Sequence, residues 1–179
     1  GGNTYSFGGT ITGSITVGAS PANEGQRITL RGDDATYPCT VSVSSGNSIT
    51  GTDKHYVTVK GFRVVGIAGV STIYDNKGKF WIVEDNVVTG GNQCISIRHG
   101  NGTIVRNNTC SGATGAAGVG HGIAMLSLTA LVAGEGAITS YQCYGNTCYG
   151  NEEDGILVKA DSATDIITGA RIHDNICYG

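Results

Sequence analysis

The chain has 179 residues, with 30 Gly, 2 Pro, 11 basic and 14 acidic side chains, and a net charge of −3. So little charge and so much Gly disfavour long helices, and the absence of a Gly-X-Y period excludes collagen. A basic nucleic-acid binder is excluded by the charge balance, and no apolar run reaches the ~18 residues of a membrane span.

A single all-β domain over residues 1–179 is therefore expected. Residues 1–54 carry short alternating segments at Ile15-Thr-Val17, Ile28-Thr-Leu30 and Val41-Ser-Val43, which predict strands of irregular spacing. From residue 55 to 179 the order tightens. Five ten-residue segments, at 57–66, 81–90, 103–112, 141–150 and 170–179, share one pattern. Position three is apolar (Val59, Val83, Val105, Cys143, Ile172). Position six is Phe62 and then Asn86, Asn108, Asn146 and Asn175. Position eight is Val64, Val88, Cys110, Cys148 and Cys177, and position ten is always Gly.

One copy reads as a strand, a turn made by Asn, a second short strand and a Gly with positive φ. Between copies run further alternating strands at Thr72-Ile-Tyr74, Ile95-Ser-Ile97, Ile123-Ala-Met125 and Ile156-Leu-Val158. Short strands and turns repeated at this period predict a stacked β-solenoid of about seven rungs. A longer gap predicts an insertion at 113–140.

The phrases His55-Tyr-Val-Thr-Val-Lys-Gly-Phe62, Val83-Glu-Asp-Asn86, Val105-Arg-Asn-Asn108 and Asn151-Glu-Glu-Asp-Gly-Ile156 resemble right-handed parallel β-helix repeats. That superfamily contains pectate-lyase-like enzymes, epimerases, tailspikes and adhesins. The resemblance implies the fold and leaves the activity open. In such a coil Asn86, Asn108, Asn146 and Asn175 form an amide ladder. Val64, Val88, Cys110, Cys148 and Cys177 form a core stripe. The cysteines then read first as small buried hydrophobes, with disulfides between adjacent rungs as the alternative.

Three features carry candidate chemistry. Tyr74, Arg98, Leu126 and Lys159 align in one outward row, with Asp75, His99 and Asp161 beside it. The resemblance implies a lyase here, with Lys159, Arg98 or His99 as the base and Asp75 and Asp161 holding a cation such as Ca²⁺. A solvated face is the competing and stronger reading. Glu152-Glu153-Asp154 offers oxygen ligands but matches no Ca²⁺ loop spacing, so a solvated turn is expected. Gly118-Val-Gly-His121-Gly122 resembles the Gly-His-Gly motif of polygalacturonase-like β-helices. The paired aspartates that such hydrolysis requires are missing from 76–179, and Asp33-Asp34 lies far away in sequence.

The sequons at Asn101 and Asn107 point to an extracellular or cell-surface glycoprotein. The chain starts Gly1-Gly2 and its last copy stops at Gly179 with no cap after it. It is therefore expected to be a piece of a longer β-helix, or to stack end to end through Ile172 and Ile176 into a filament. The expectation for function is an extracellular structural or surface module with glycan contact. A secreted polysaccharide lyase or epimerase is the alternative.

Overall fold

The computed structural model describes residues 2–32, 38–115, 119–127, 137–160 and 166–179. They form a right-handed parallel β-helix of seven rungs, built from three parallel sheets. The first sheet has seven strands, running from Thr4–Ser6 through Val57–Lys60 and Ile82–Glu84 to Arg171–His173. The second sheet also has seven, from Thr10–Thr12 through Arg63–Val65 to Ile176–Tyr178. The third has six, including Ile73–Asn76, Gln93–Arg98, His121–Ser127 and Ile156–Ala160. A small two-stranded sheet, Ala137–Thr139 with Ile166–Thr168, precedes the first-sheet strands of the last two rungs and contributes Ile138 to the core.

The repeated positions become the core. Val59, Val83, Val105, Cys143 and Ile172 pair in register across the first sheet. Val64, Val88, Cys110, Cys148 and Cys177 do so across the second. Both columns point inward and are buried until the last rung, where Ile172 and Cys177 are exposed. The expected core stripe therefore ends at Cys148 in this structure. All six cysteines are free thiols, and the stacked thiols of Cys110 and Cys148 lie in the hydrophobic core.

The turn from the first to the second sheet is the most regular part of the coil. The Asn86 side chain donates through Nδ2 to the Val59 carbonyl below (3.0 Å) and to Oδ1 of Asn108 above (3.0 Å). Asn108 does the same with the Val83 carbonyl (2.9 Å) and Asn146 (3.0 Å). Asn146 repeats it with the Val105 carbonyl (3.0 Å) and Asn175 (2.9 Å). Each Oδ1 also accepts the main-chain N–H at the same position one rung below; the Phe62 N–H ends the series on Asn86 at 3.0 Å. The predicted amide ladder is present and leaves these buried amides satisfied.

Two local expectations are corrected. The ladder Asn does not take the left-handed conformation. The residue before it does: Gly61, Asp85, Asn107, Gly145 and Asp174 all have φ between 54° and 71°. Asn and Asp are the L-residues that tolerate this region best, which explains their place at position five. At position ten, Gly90, Gly112 and Gly150 have positive φ, and Gly66 does not. Gly66 is instead held by packing, because a Cβ there would collide with Thr72 Oγ1.

The insertion is also smaller than 113–140, because His121–Ser127 is a full strand of the third sheet. At the first rung, Tyr5, Phe7, Ile15, Val17 and Leu30 line an apolar cavity of about 340 Å³.

Candidate functional site

The outer face of the third sheet carries two rows of side chains. Register sets the first as Thr50, Tyr74, Ser96, Ala124 and Leu157, and the second as Thr52, Asn76, Arg98, Leu126 and Lys159. Tyr74 is therefore not in the row of Arg98, as the sequence had suggested; Asn76 takes that place. The two residues still meet, because the Arg98 guanidinium turns back over the Tyr74 ring at 5.2 Å from its centroid. Such a cation–π contact fixes the long Arg side chain at modest energy, about 0.5–1 kcal/mol where exposed.

Arg98 and Tyr74 border a polar groove of about 290 Å³, whose other walls include Asn47, Ser71, Asn92 and Gln93. The wall groups are held by their own bonds. Asn47 Nδ2 donates to the Ser71 carbonyl at 2.6 Å, Ser71 Oγ to Gln93 Oε1 at 2.7 Å, and the Gly69 N–H to Asn92 Oδ1 at 2.9 Å. The groove is thus preformed. Open valences remain nearby: Arg98 Nε, Asn76 Oδ1 and Ser96 Oγ have no hydrogen-bond partner among the described residues. All three atoms are shielded from solvent, so they are not themselves contacts for a ligand in the groove.

The other expected residues fall elsewhere. Lys159 is exposed in the row of Arg98, but Leu126 stands between them, two strand spacings or about 9.6 Å across. His99 is buried just past the strand end, with φ 56°, and does not face the groove. Asp75 does not lie on the surface. It points into the coil in register with Gly51, Ile97 and Met125 and is fully buried. Burial pushes its carboxyl well above the usual carboxylate range, against the Gly78 N–H that lowers it. A surface cation held by Asp75 and Asp161 therefore lacks one of its two ligands, and Asp161 lies outside the described residues, as do Asp33, Asp34 and Gly118. No cluster of three or more His, Cys, Asp or Glu suited to a metal occurs among the described residues.

Two separately read motifs meet at one corner. His121 Nδ1 lies 3.5 Å from Asp154 Oδ2 and accepts the Asp154 N–H at 3.3 Å, while Glu152 Oε2 accepts the Gly115 N–H at 2.8 Å. His121 is buried, so this pairing closes the loop over the strand rather than opening a site. Of the sequons, Asn107 is exposed in a turn, and Asn101 is half-buried with its Thr103 fully buried. Ile172 and Ile176 are exposed on the last rung, 46% and 60% accessible; Ile172 continues the inward column of Cys143, whereas Ile176 continues the outward column of Val87, Thr109 and Thr147.

The outward row of the first sheet is a charge ladder the sequence reading missed. Glu84 lies between Lys60 (3.4 Å) and Arg106 (Nε, 2.7 Å), and Arg106 Nη1 donates to the Tyr144 hydroxyl at 3.0 Å. Tyr144 stacks on His173 at 5.1 Å. Period-two alternation with copies aligned on Asn86, Asn108 and Asn146 was sufficient to find it.

No protein-family model and no curated protein matches the chain. Among solved structures, pectate lyase Pel9A is similar at 15% identity, with a TM-score of 0.58 over 88% of this chain and 40% of that one. An alginate lyase from Paenibacillus sp. str. FPU-7 aligns at 19% identity over 98% of this chain and 89% of that one, with a TM-score of 0.38. The chain thus spans about 40% of the length of the pectate lyase. No helix among the described residues is long and apolar enough to cross a membrane. The shared architecture makes this chain a right-handed parallel β-helix, similar in fold to pectate lyase Pel9A.

Proposed function

We propose that the chain is a secreted β-helix module that holds an acidic polysaccharide against the outer face of its third sheet. The observation that carries this reading is Arg98, braced over Tyr74 at the edge of a polar groove. A guanidinium matches a carboxylate in two parallel hydrogen bonds, and an aromatic ring beside it offers a sugar an apolar face. The similar pectate lyase acts, by its name, on an acidic polysaccharide, which favours the same class of ligand here.

Binding is favoured over cleavage. β-Elimination needs a base at the proton next to the carboxylate and a cation on the carboxylate itself. The Arg98 guanidinium is a planar multiple donor, which suits the clamp. Leu126 separates it from Lys159, the nearest amine in its row, so base and clamp do not share one sugar position.

Calorimetric titration of the full chain with oligogalacturonate tests the reading. Binding that weakens at least tenfold in Arg98→Ala is expected. An unchanged affinity in that variant removes the proposal, and unsaturated products released by the wild type would restore Lys159 or another base to the site.

A second reading, end-to-end assembly, rests on the apolar cavity at the first rung and on the inward-column Ile172 exposed at the last. Sedimentation velocity over a wide concentration range tests it. Growth of species that Ile172→Asp abolishes is expected; a monomer at every concentration removes it.

A further inference from the structure

The inward column of the second sheet ends in a row of thiols. Cys110, Cys148 and Cys177 pair in register on successive rungs. Hydrogen bonds link Cys94 to Cys110, Cys110 to Cys148, and Cys148 to Cys177. Cys94, Cys110 and Cys148 are fully buried, whereas Cys177 is the one exposed cysteine of the six.

The corner leading to the third sheet keeps room for the last two sulfurs. Gly155 lies against both residues. A Cβ there would fall 2.6 Å from Cys177 Sγ, 2.8 Å from Cys177 Cβ and 3.3 Å from Cys148 Cβ. At Gly122 a Cβ would lie 3.1 Å from Cys148 Sγ. A side chain at 155 would therefore take the space that the thiols occupy. In-register neighbours on parallel strands are about 4.8 Å apart, within the Cα separation that a disulfide spans.

We propose that Cys177 and Cys148 form a thiol–disulfide exchange site for a small-molecule disulfide, which leaves the two cysteines bonded and the last rung tied to the one before it. The Cys177 thiolate attacks one sulfur of the disulfide R–S–S–R. A mixed disulfide forms on Cys177 and one RS⁻ leaves. The Cys148 thiolate then attacks Cys177 Sγ, the Cys148–Cys177 bond forms and the second RS⁻ leaves. The two protons given up by the cysteines end on the two released thiols. The protein is oxidised by two electrons and the small disulfide is reduced by two.

Access and charge set this order. Cys177 meets solvent and Cys148 does not. Hydrogen bonds with Cys110 and Cys177 lower the Cys148 thiol, which suits the second attack. Burial and the neighbouring Cys148 raise the Cys177 thiol, so the first attack sets the rate and quickens as pH rises. Burial pushes the Cys110 thiol well above its usual range, which keeps it out of the exchange. Neither Cys148 nor Cys177 borders the third-sheet groove, so exchange here is independent of sugar binding.

The test is incubation of the reduced, folded chain with oxidised glutathione, read by intact mass and peptide mapping. The wild type is expected to lose two hydrogens and to yield one cross-linked peptide pair, Cys148 with Cys177. Cys148→Ser should stop at a glutathione adduct on Cys177, and Cys177→Ser should not react at Cys148. The bridged chain should unfold about 5–10 °C above the reduced one, a gain that dithiothreitol reverses. Should Cys148→Ser fail to fold, the wild-type map decides. A lasting adduct on wild-type Cys177, a bridge between any other pair, or no reaction of the folded chain overturns the proposal. A bridge that leaves Tm unchanged overturns the tie between the rungs.

Discussion

The turn between the first and second sheets and the corner between the third and first meet the same need by opposite means. Both must satisfy main-chain and side-chain polar groups that the coil buries. The turn does it by repetition: each Asn receives from the rung below what it gives to the rung above, and the residue before it is always one that accepts positive φ. The corner holds a different residue at each level: Trp81, Thr103 and Tyr141 at one position, Gly51, Asp75 and Ile97 at another. Trp81 reaches down to donate to the Lys54 carbonyl at 2.6 Å, and Tyr141 reaches down to Gly100, but Asp75 and Thr103 keep open oxygens. Repetition closes the polar account within the chain. Where it lapses, buried oxygens stay without a partner among the described residues.

Substitutions can break this contrast. Asn108→Ala removes one ladder step and leaves the Asn86 N–H and two carbonyls without their partner. At about 1–3 kcal/mol for each orphaned buried group, a loss of about 3 kcal/mol or more is expected in urea unfolding; a loss below about 1 kcal/mol would mean the ladder is decorative. Trp81→Phe keeps most of the buried ring and deletes the bond to Lys54, so about 1–2 kcal/mol should go by the same measurement.

Lys60→Met removes one of two cations from Glu84 on a partly exposed face. Less than about 1 kcal/mol is expected, fading further in high salt. Thr103→Val deletes a hydroxyl with no hydrogen-bond partner among the described residues, so unfolding should shift by no more than about 0.5 kcal/mol. If it costs as much as Asn108→Ala, the two corners are not different in kind.

What the sequence made legible follows the same division. The third, sixth and eighth positions of the repeat were readable because their side chains stack on copies of themselves, and the coil puts each where the pattern placed it. Register on the third sheet was readable from Arg98 through Leu126 to Lys159 but not from Tyr74 to Arg98. Ile95-Ser-Ile97 offers two isoleucines of equal parity, and alternation cannot choose between registers two residues apart. The sequence reading paired Tyr74 with Arg98, whereas Ile73 pairs with Ile95 and puts Asn76 there. Asp75 read as a surface ligand, although the alternation that turns Tyr74 outward turns Asp75 inward beside Ile73. The thiols behave as small core residues: Cys143 is pushed up to about 12 by burial, and Cys148 is lowered by its hydrogen bond with Cys110.

Function divides in the same way. The first-sheet face spends its charges on itself, Glu84 between Lys60 and Arg106, while the third-sheet face sets Arg98 against the Tyr74 ring at a polar groove. The direct test is to map the amide resonances that shift when an acidic oligosaccharide is titrated into the isotope-labelled chain. The account predicts shifts centred on Asn47, Ser71, Tyr74, Gln93 and Arg98, lost in Arg98→Ala. Shifts centred on Lys60 and Arg106, or none at saturating sugar, would contradict it.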